Sequence, residues 1–182
     1  MRKLIQQYAK DLTAGRLASG YEHSYRVYHL ARKLGEALEY DDEVLHAACF
    51  LHDIEMASGH PESSAAKARA ILQETGFRPA KVQAVYEAIL KHMPGGRAGS
   101  AEGKLLHDAN LLDSLGAVGL ARLSAGSFLW HHVKTMGQVL ELWQRWLGFA
   151  DSFYYPGSKD LAADKIRFMQ LAVEQMSREF EI

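Results

Sequence analysis

Cysteine is nearly missing from this 182-residue chain: Cys49 stands alone, so no disulfide framework can form within it and a reducing, cytoplasmic setting is expected. An excess of charge of either sign is missing too. The 21 basic and 22 acidic residues are well mixed and sum to −1, which leaves no electrostatic footprint for a nucleic acid polymer. No apolar run approaches the roughly 18 residues that cross a bilayer, and Met1 to Gln7 lacks an unbroken apolar stretch, so neither membrane insertion nor export is expected. Proline occurs four times and β-branched residues are sparse. What remains, 48% hydrophobic and 24% charged residues, is the balance of a soluble globular protein. The length fits a single domain over residues 1–182 that folds without cross-links.

Alanine, leucine, glutamate, lysine and glutamine dominate segments whose apolar residues recur at steps of three and four. The expected class is all-α. A first helix covers Leu4 to Leu17 and is punctuated by Ser19-Gly20; a second opens near Glu22, with the stripe Val27, Leu30, Ala31, Leu34 and Leu38. His23 precedes Val27 by one turn and belongs to the same buried face. A third helix follows Asp41-Asp42, carboxylates suited to a helix N-terminus, and its stripe Leu45, Ala48, Cys49 leads to His52 at the inner end. After a loop through Gly59, His60 and Pro61, a helix from Ser63 to Thr75 is closed by Gly76. Pro79 opens the next, whose stripe Val82, Val85, Tyr86, Ile89 extends by one step to His92, just before Pro94-Gly95-Gly96. The segment from Ser100 to Ser124 is apolar nearly all round and reads as one central helix, on which Asp108, Asn110 and Asp113 need partners. Val133 to Leu147 and Leu161 to Phe180 read as closing helices on either side of an irregular stretch from Tyr154 to Gly157.

A buried imidazole or carboxylate without a partner costs on the order of a few kcal/mol, and binding a metal removes that cost. His23, His52 and Asp53 offer two nitrogen donors and an anionic oxygen, a set suited to divalent Mn, Fe, Co, Ni or Zn rather than to Ca or Mg. Such an ion lowers the pKa of bound water toward neutrality and polarises a phosphoryl oxygen, so hydrolysis of a phosphate ester or anhydride is the chemistry the donor set favours. The remaining histidines read as structural. His29 and His46 are expected at the surface or periphery, and the adjacent pair His131-His132 diverges by about 100° on a helix. Trp143 and Trp146 read as core.

The order His23, then His52-Asp53, then an acidic cluster on a later buried helix resembles the HD superfamily of metal-dependent phosphohydrolases. The likeness runs through Glu22 to Val27, Leu51 to Glu55, Ser63 to Ala65 and Gly103 to Arg122. The last stretch is similar to the segment Asp-Ala-Asp-x-Leu-Asp-Ala-Leu-Gly-Ala of a small single-domain subgroup, some of whose members are nucleotide pyrophosphohydrolases. This resemblance implies a helical bundle around a central metal-binding pocket and a phosphorylated small molecule, a nucleotide among the candidates, as substrate. A homo-oligomer is left open.

One departure stands out. Asn110 occupies the place of the subgroup's second Asp, the expected fourth ligand; it keeps an oxygen donor but removes one negative charge. Asp108 is the alternative ligand, yet positions two apart on a regular helix point about 200° apart, so the two cannot both face one ion. Asp113 shares the face of Asn110 and is expected behind the ligands. His60 and His92 resemble the histidines that hold a second metal in binuclear HD proteins, so one or two ions are implied. Asp53, Glu55 and Arg26 are the candidates for catalysis, Glu55 as acid or base and Arg26 on a phosphate; Lys91, Arg97, Lys104 and Arg122 are further cations. Two competing readings follow: a diiron oxygenase, which requires both extra histidines, and a noncatalytic ligand-binding module, which Asn110 motivates.

Overall fold

A computed structural model of the chain describes residues 1–56, 60–130 and 133–180, the side chains of 128–130 excepted. Among the described residues the elements are helices without strands, as the composition predicts: α1 (Arg2–Leu12), α2 (Tyr21–Leu34), α3 (Asp42–Leu51), α4 (Glu62–Glu74), α5 (Pro79–Leu90), α6 (Ala101–Asp113), α7 (Gly116–Trp130), α8 (Met136–Gly148) and α9 (Pro156–Glu179), with a 3-10 turn at Phe149–Ser152. Local chemistry sets several of their starts. Asp41 caps α3, its Oδ1 accepting the N–H groups of Glu43 and Val44 at 3.0 and 3.2 Å. Ser100 caps α6 through the Gly103 N–H at 3.1 Å, and Thr135 and Gln138 form a capping box on α8.

Several boundaries depart from the periodicity. α1 stops at Leu12 rather than Leu17: after Thr13, whose N–H and hydroxyl still meet the Ala9 carbonyl at 3.1 and 2.7 Å, Gly15 at φ +74° turns the chain and Arg16 N–H donates to the Thr13 carbonyl at 3.1 Å. α2 stops at Leu34, so Leu38 leaves the buried stripe and is 38% exposed. The long helix expected from Ser100 to Ser124 is two helices. Gly116, at φ +74°, adopts a left-handed conformation that breaks the run after Asp113, and α7 accordingly exposes Val118. α9 begins at Pro156, ahead of Leu161, since proline is pre-organised for the first helical turn.

α3 is buried on every face from Val44 to Leu51. It packs with Ile5, Val27, Leu72, Val85 and Leu105 in one apolar cluster, while Leu112, Leu115, Leu142, Ala162 and Met169 build a second around α7, α8 and α9. α6 serves both, Leu105 and Leu106 facing the first cluster and Leu111 and Leu112 the second. Burying a side chain such as Phe50 or Leu51 stabilises by about 1.5–3 kcal/mol, so packing fixes α3 and with it the turn that carries His52 and Asp53.

Asp108 ties α6 to the entrance of α9. Its Oδ1 accepts the Tyr154 N–H at 2.9 Å, and its Oδ2 accepts the Tyr155 N–H at 3.0 Å and the Ser158 hydroxyl at 2.6 Å. His107 Nδ1 lies 2.9 Å from Oδ1. Tyr154 extends the connection, its hydroxyl donating to the Gly96 carbonyl at 3.0 Å and accepting the Ala98 N–H at 2.9 Å. Losing the carboxylate leaves these donors without an acceptor, at about 1–3 kcal/mol for each buried group. Asp108→Ala is therefore expected to lower the unfolding free energy by several kcal/mol in urea titrations, with divalent-metal stoichiometry kept; an unaltered unfolding midpoint would contradict the tie.

Candidate metal centre

Histidines reach the centre from four places. His23 sits in the first turn of α2, one turn before Val27 on the buried face. His52 and Asp53 follow directly on α3, His60 lies in the loop before α4, and His92 follows α5. His23, His52 and His92 are at most 1% exposed.

Each ring is oriented through Nδ1. His52 Nδ1–H donates to the Cys49 carbonyl at 2.8 Å and His92 Nδ1–H to the Ile89 carbonyl at 2.6 Å, carbonyls at helix ends that have lost their own helical partner. His60 Nδ1–H donates to the Glu55 carbonyl at 3.2 Å, and His23 Nδ1–H to Asp113 Oδ2 at 2.7 Å. Carbonyl and carboxylate oxygens only accept, so each Nδ1 carries a proton, and in the neutral ring Nε2 presents a lone pair.

Those lone pairs converge on Asp53. His23 Nε2 and His52 Nε2 are 3.0 Å apart, with Asp53 Oδ2 at 3.4 and 3.5 Å from them. On the other side of the same carboxylate, Oδ1 lies 3.3 Å from His60 Nε2 and 3.8 Å from His92 Nε2. His92 Nε2 is buried with no hydrogen-bond partner among the described residues. Two such lone pairs facing one another at 3.0 Å repel unless a proton or a metal cation lies between them. A centre with bonds of about 2.1 Å at ligand angles of about 90–110° would give donor separations of roughly 3.0–3.4 Å. His23, His52 and Asp53 therefore fit a divalent metal, and Asp53, His60 and His92 form a second group able to hold one.

Electrostatics agree with the geometry. Burial pushes His52 down to about 4 and His92 to about 3. Burial opposes ionisation of Asp53, and the His52, His23 and His60 rings hold its carboxyl well below the usual carboxylate range only in their protonated forms; with the rings neutral, a bound cation would have to take over that role. Asp113 is likewise buried yet held low, by His23, Arg26 and Arg122. Arg26 grips it with Nε on Oδ1 at 2.8 Å and Nη2 on Oδ2 at 3.1 Å, and Arg122 Nη1 is 3.1 Å from Oδ2.

The remaining residues singled out in the sequence divide clearly. Asn110 is buried one turn before Asp113, on the same face of α6. The alternative of Asp108 as a ligand is corrected: its carboxylate is engaged by Tyr154, Tyr155, Ser158 and His107 and belongs to neither metal-binding group. The guanidiniums of Arg26 and Arg122, expected on a phosphate, are turned onto Asp113. Glu55, a third exposed, pairs its Oε2 with Lys67 Nζ at 3.0 Å. Ser64 is a missed contributor, accepting the Glu55 N–H at 3.0 Å and donating to the Glu55 carbonyl at 2.8 Å, which braces the loop that carries His60. His29 is exposed, as expected. His46 is not peripheral: it is 1% exposed between Tyr28 and Phe50, because α3 is buried all round. His131 and His132 lie outside the described residues.

The family model for the HD domain matches residues 20–117, more than half of the chain. The chain belongs to the HD domain family. No curated protein matches it. Among solved structures, this HD protein is similar to a Lactobacillus plantarum protein at 22% identity, with a TM-score of 0.83, covering 99% of this chain and 96% of that one. It is also similar to Bacillus subtilis YpgQ, crystallised in complex with ADP, at 22% identity and TM-score 0.74, covering 98% and 97% of the two chains. A third neighbour is an HD-superfamily hydrolase from Bacillus thuringiensis, at 24% identity and TM-score 0.72, covering 99% and 96%. At these identities the likeness is one of fold.

The neutral histidines have a consequence for stability. Burial also pushes His46 down to about 4, so three rings have lower values folded than the roughly 6.5 of the unfolded chain. Between about pH 6.5 and about pH 4 the unfolded state takes up protons that the folded state does not, and stability falls as pH drops through that window. The metal-free protein, prepared by chelation, is expected to melt at progressively lower temperature over this range, and His46→Gln to make the decline shallower. A flat melting profile would contradict neutral buried rings.

Proposed function

We propose that this HD protein is a metal-dependent phosphohydrolase acting on a phosphorylated small molecule, with nucleotides the first class to test. The observation that carries the proposal is the convergence of the buried Nε2 atoms of His23 and His52, 3.0 Å apart, on the Asp53 carboxylate. In this reading His23, His52 and Asp53, with the neutral side-chain oxygen of Asn110, hold the first ion, and Asp53 shares its second oxygen with His60 and His92. A divalent ion held there supplies Lewis acidity, which acidifies water and polarises a phosphoryl oxygen. The chain's own groups do the rest. Asp113 keeps His23 in the ligating tautomer. Arg26, anchored on Asp113 and 35% exposed, sets a positive charge where a phosphate enters. Glu55, two residues beyond Asp53, is assigned to proton transfer. The ADP complex of YpgQ supports putting nucleoside phosphates first.

The deciding experiment is metal analysis of the purified protein coupled to phosphate and pyrophosphate release over nucleotides and phosphomonoesters with Mn, Co, Ni and Mg. Release with at least one metal is expected, and Asp53→Asn should lower both bound metal and turnover by at least about tenfold. Metal bound with silence across the screen would sink the hydrolase reading. Iron content with oxygen consumption in place of phosphate release would select the diiron oxygenase alternative, which the His60 and His92 pair keeps open.

Asn110 provides a separate comparison. An aspartate there adds a negative charge facing the cation, so Asn110→Asp should tighten metal binding. A large rise in turnover as well would point to a degenerate wild-type site and the noncatalytic reading; unchanged turnover would mark the wild-type site as competent.

A further inference from the structure

Arg16 lies in the segment between α1 and α2, outside the stretch matched by the HD family model. Among the described residues its guanidinium pairs with no carboxylate. Instead Nη1 donates to the Asp53 carbonyl at 3.0 Å and Nη2 to the Ile54 carbonyl at 3.4 Å. Two N–H groups of one rigid fork thus hold consecutive peptide units of the turn that aims the Asp53 side chain.

The backbone of Arg16 is fixed at its other end. A Cβ on Gly20 would collide with the Arg16 carbonyl, so these two peptides are packed together in a way that glycine permits. Gly20 is the N-cap of α2, and its carbonyl accepts the His23 N–H at 3.0 Å. The same segment is held from outside by Arg122, whose Nε donates to the Ala18 carbonyl at 2.6 Å while its Nη1 donates to the Asp113 carbonyl at 3.0 Å. Arg16 therefore spans from the start of the helix that carries His23 to the peptide that carries Asp53.

We infer that Arg16 is a positioning residue for the metal centre, setting the separation between His23 and Asp53 through the backbone at both ends. This rests on the metal-binding reading of those residues. Partners that orient ligands typically change metal affinity by about 10–100-fold when lost, and the guanidinium here acts on the main chain of a ligand that serves both groups.

The test is titration calorimetry of the chelator-treated full-length protein with Mn2+, together with thermal melts and the visible spectrum of the Co2+-loaded form. Arg16→Gln is expected to weaken Mn2+ binding by about tenfold or more and to alter the Co2+ bands, with helix content retained. Arg16→Lys keeps the charge but loses the paired fork, so about threefold weakening is expected. It decides the matter should Arg16→Gln not fold. Wild-type affinity and an unchanged Co2+ spectrum in the folded variants would overturn the role of Arg16 and leave the metal centre standing. Failure of the wild-type protein to bind Mn2+ or Co2+ would instead overturn the metal reading together with this inference.

Discussion

In their neutral form, two imidazole nitrogens held 3.0 Å apart make a repulsive contact, relieved only by a proton or a cation between them, that the rest of the fold must sustain. α2 and α3 bring His23 and His52 together by burying Val27, Leu45 and Leu51 in a common cluster, and the apolar contacts that hold those helices outweigh what the facing lone pairs oppose. A protein that binds a cation has reason to keep such a contact, because the ion converts it from repulsive to attractive. Asp53 occupies the junction. One oxygen faces His23 and His52, the other His60 and His92, so the position and charge of a single carboxylate bear on both groups.

Behind the donors lies a tier of charge. Asp113 is buried between His23, Arg26 and Arg122, and the two guanidiniums compensate a carboxylate whose burial alone would be costly. Arg122 also reaches the Ala18 carbonyl, and Arg16 the peptides of Asp53 and Ile54. The candidate donors are thus fixed by hydrogen bonds from elements distant in sequence as well as by their own helices.

The sequence made the first donors legible because helical periodicity acts on them directly. His23 one turn before Val27, and His52 and His92 at the ends of apolar stripes, face inward by the same geometry that buries leucine. Other features lay beyond that signal. His46 belongs to a helix buried on all sides, where a stripe no longer separates core from surface. The break at Gly116 falls inside an apolar run, and hydrophobicity does not register a change of direction. The spacing of Asp108 and Asn110 says that they point apart, but which face meets α2 and which meets the start of α9 depends on packing among helices far apart in the chain. Arg16 carried no periodic or motif signal, since its targets are main-chain carbonyls and its segment is not helical.

Main-chain carbonyls have a further consequence at the histidines. His52, His60 and His92 take their tautomer from the carbonyls of Cys49, Glu55 and Ile89, atoms that every amino acid possesses. Substitution at those three neighbours can alter packing without deleting the acceptor, which makes this part of the centre tolerant of sequence drift. His23 differs, because its acceptor is the side chain of Asp113. Its basicity can therefore be retuned by exchanging Asp113, while the carbonyl acceptors of the other three rings stay in place.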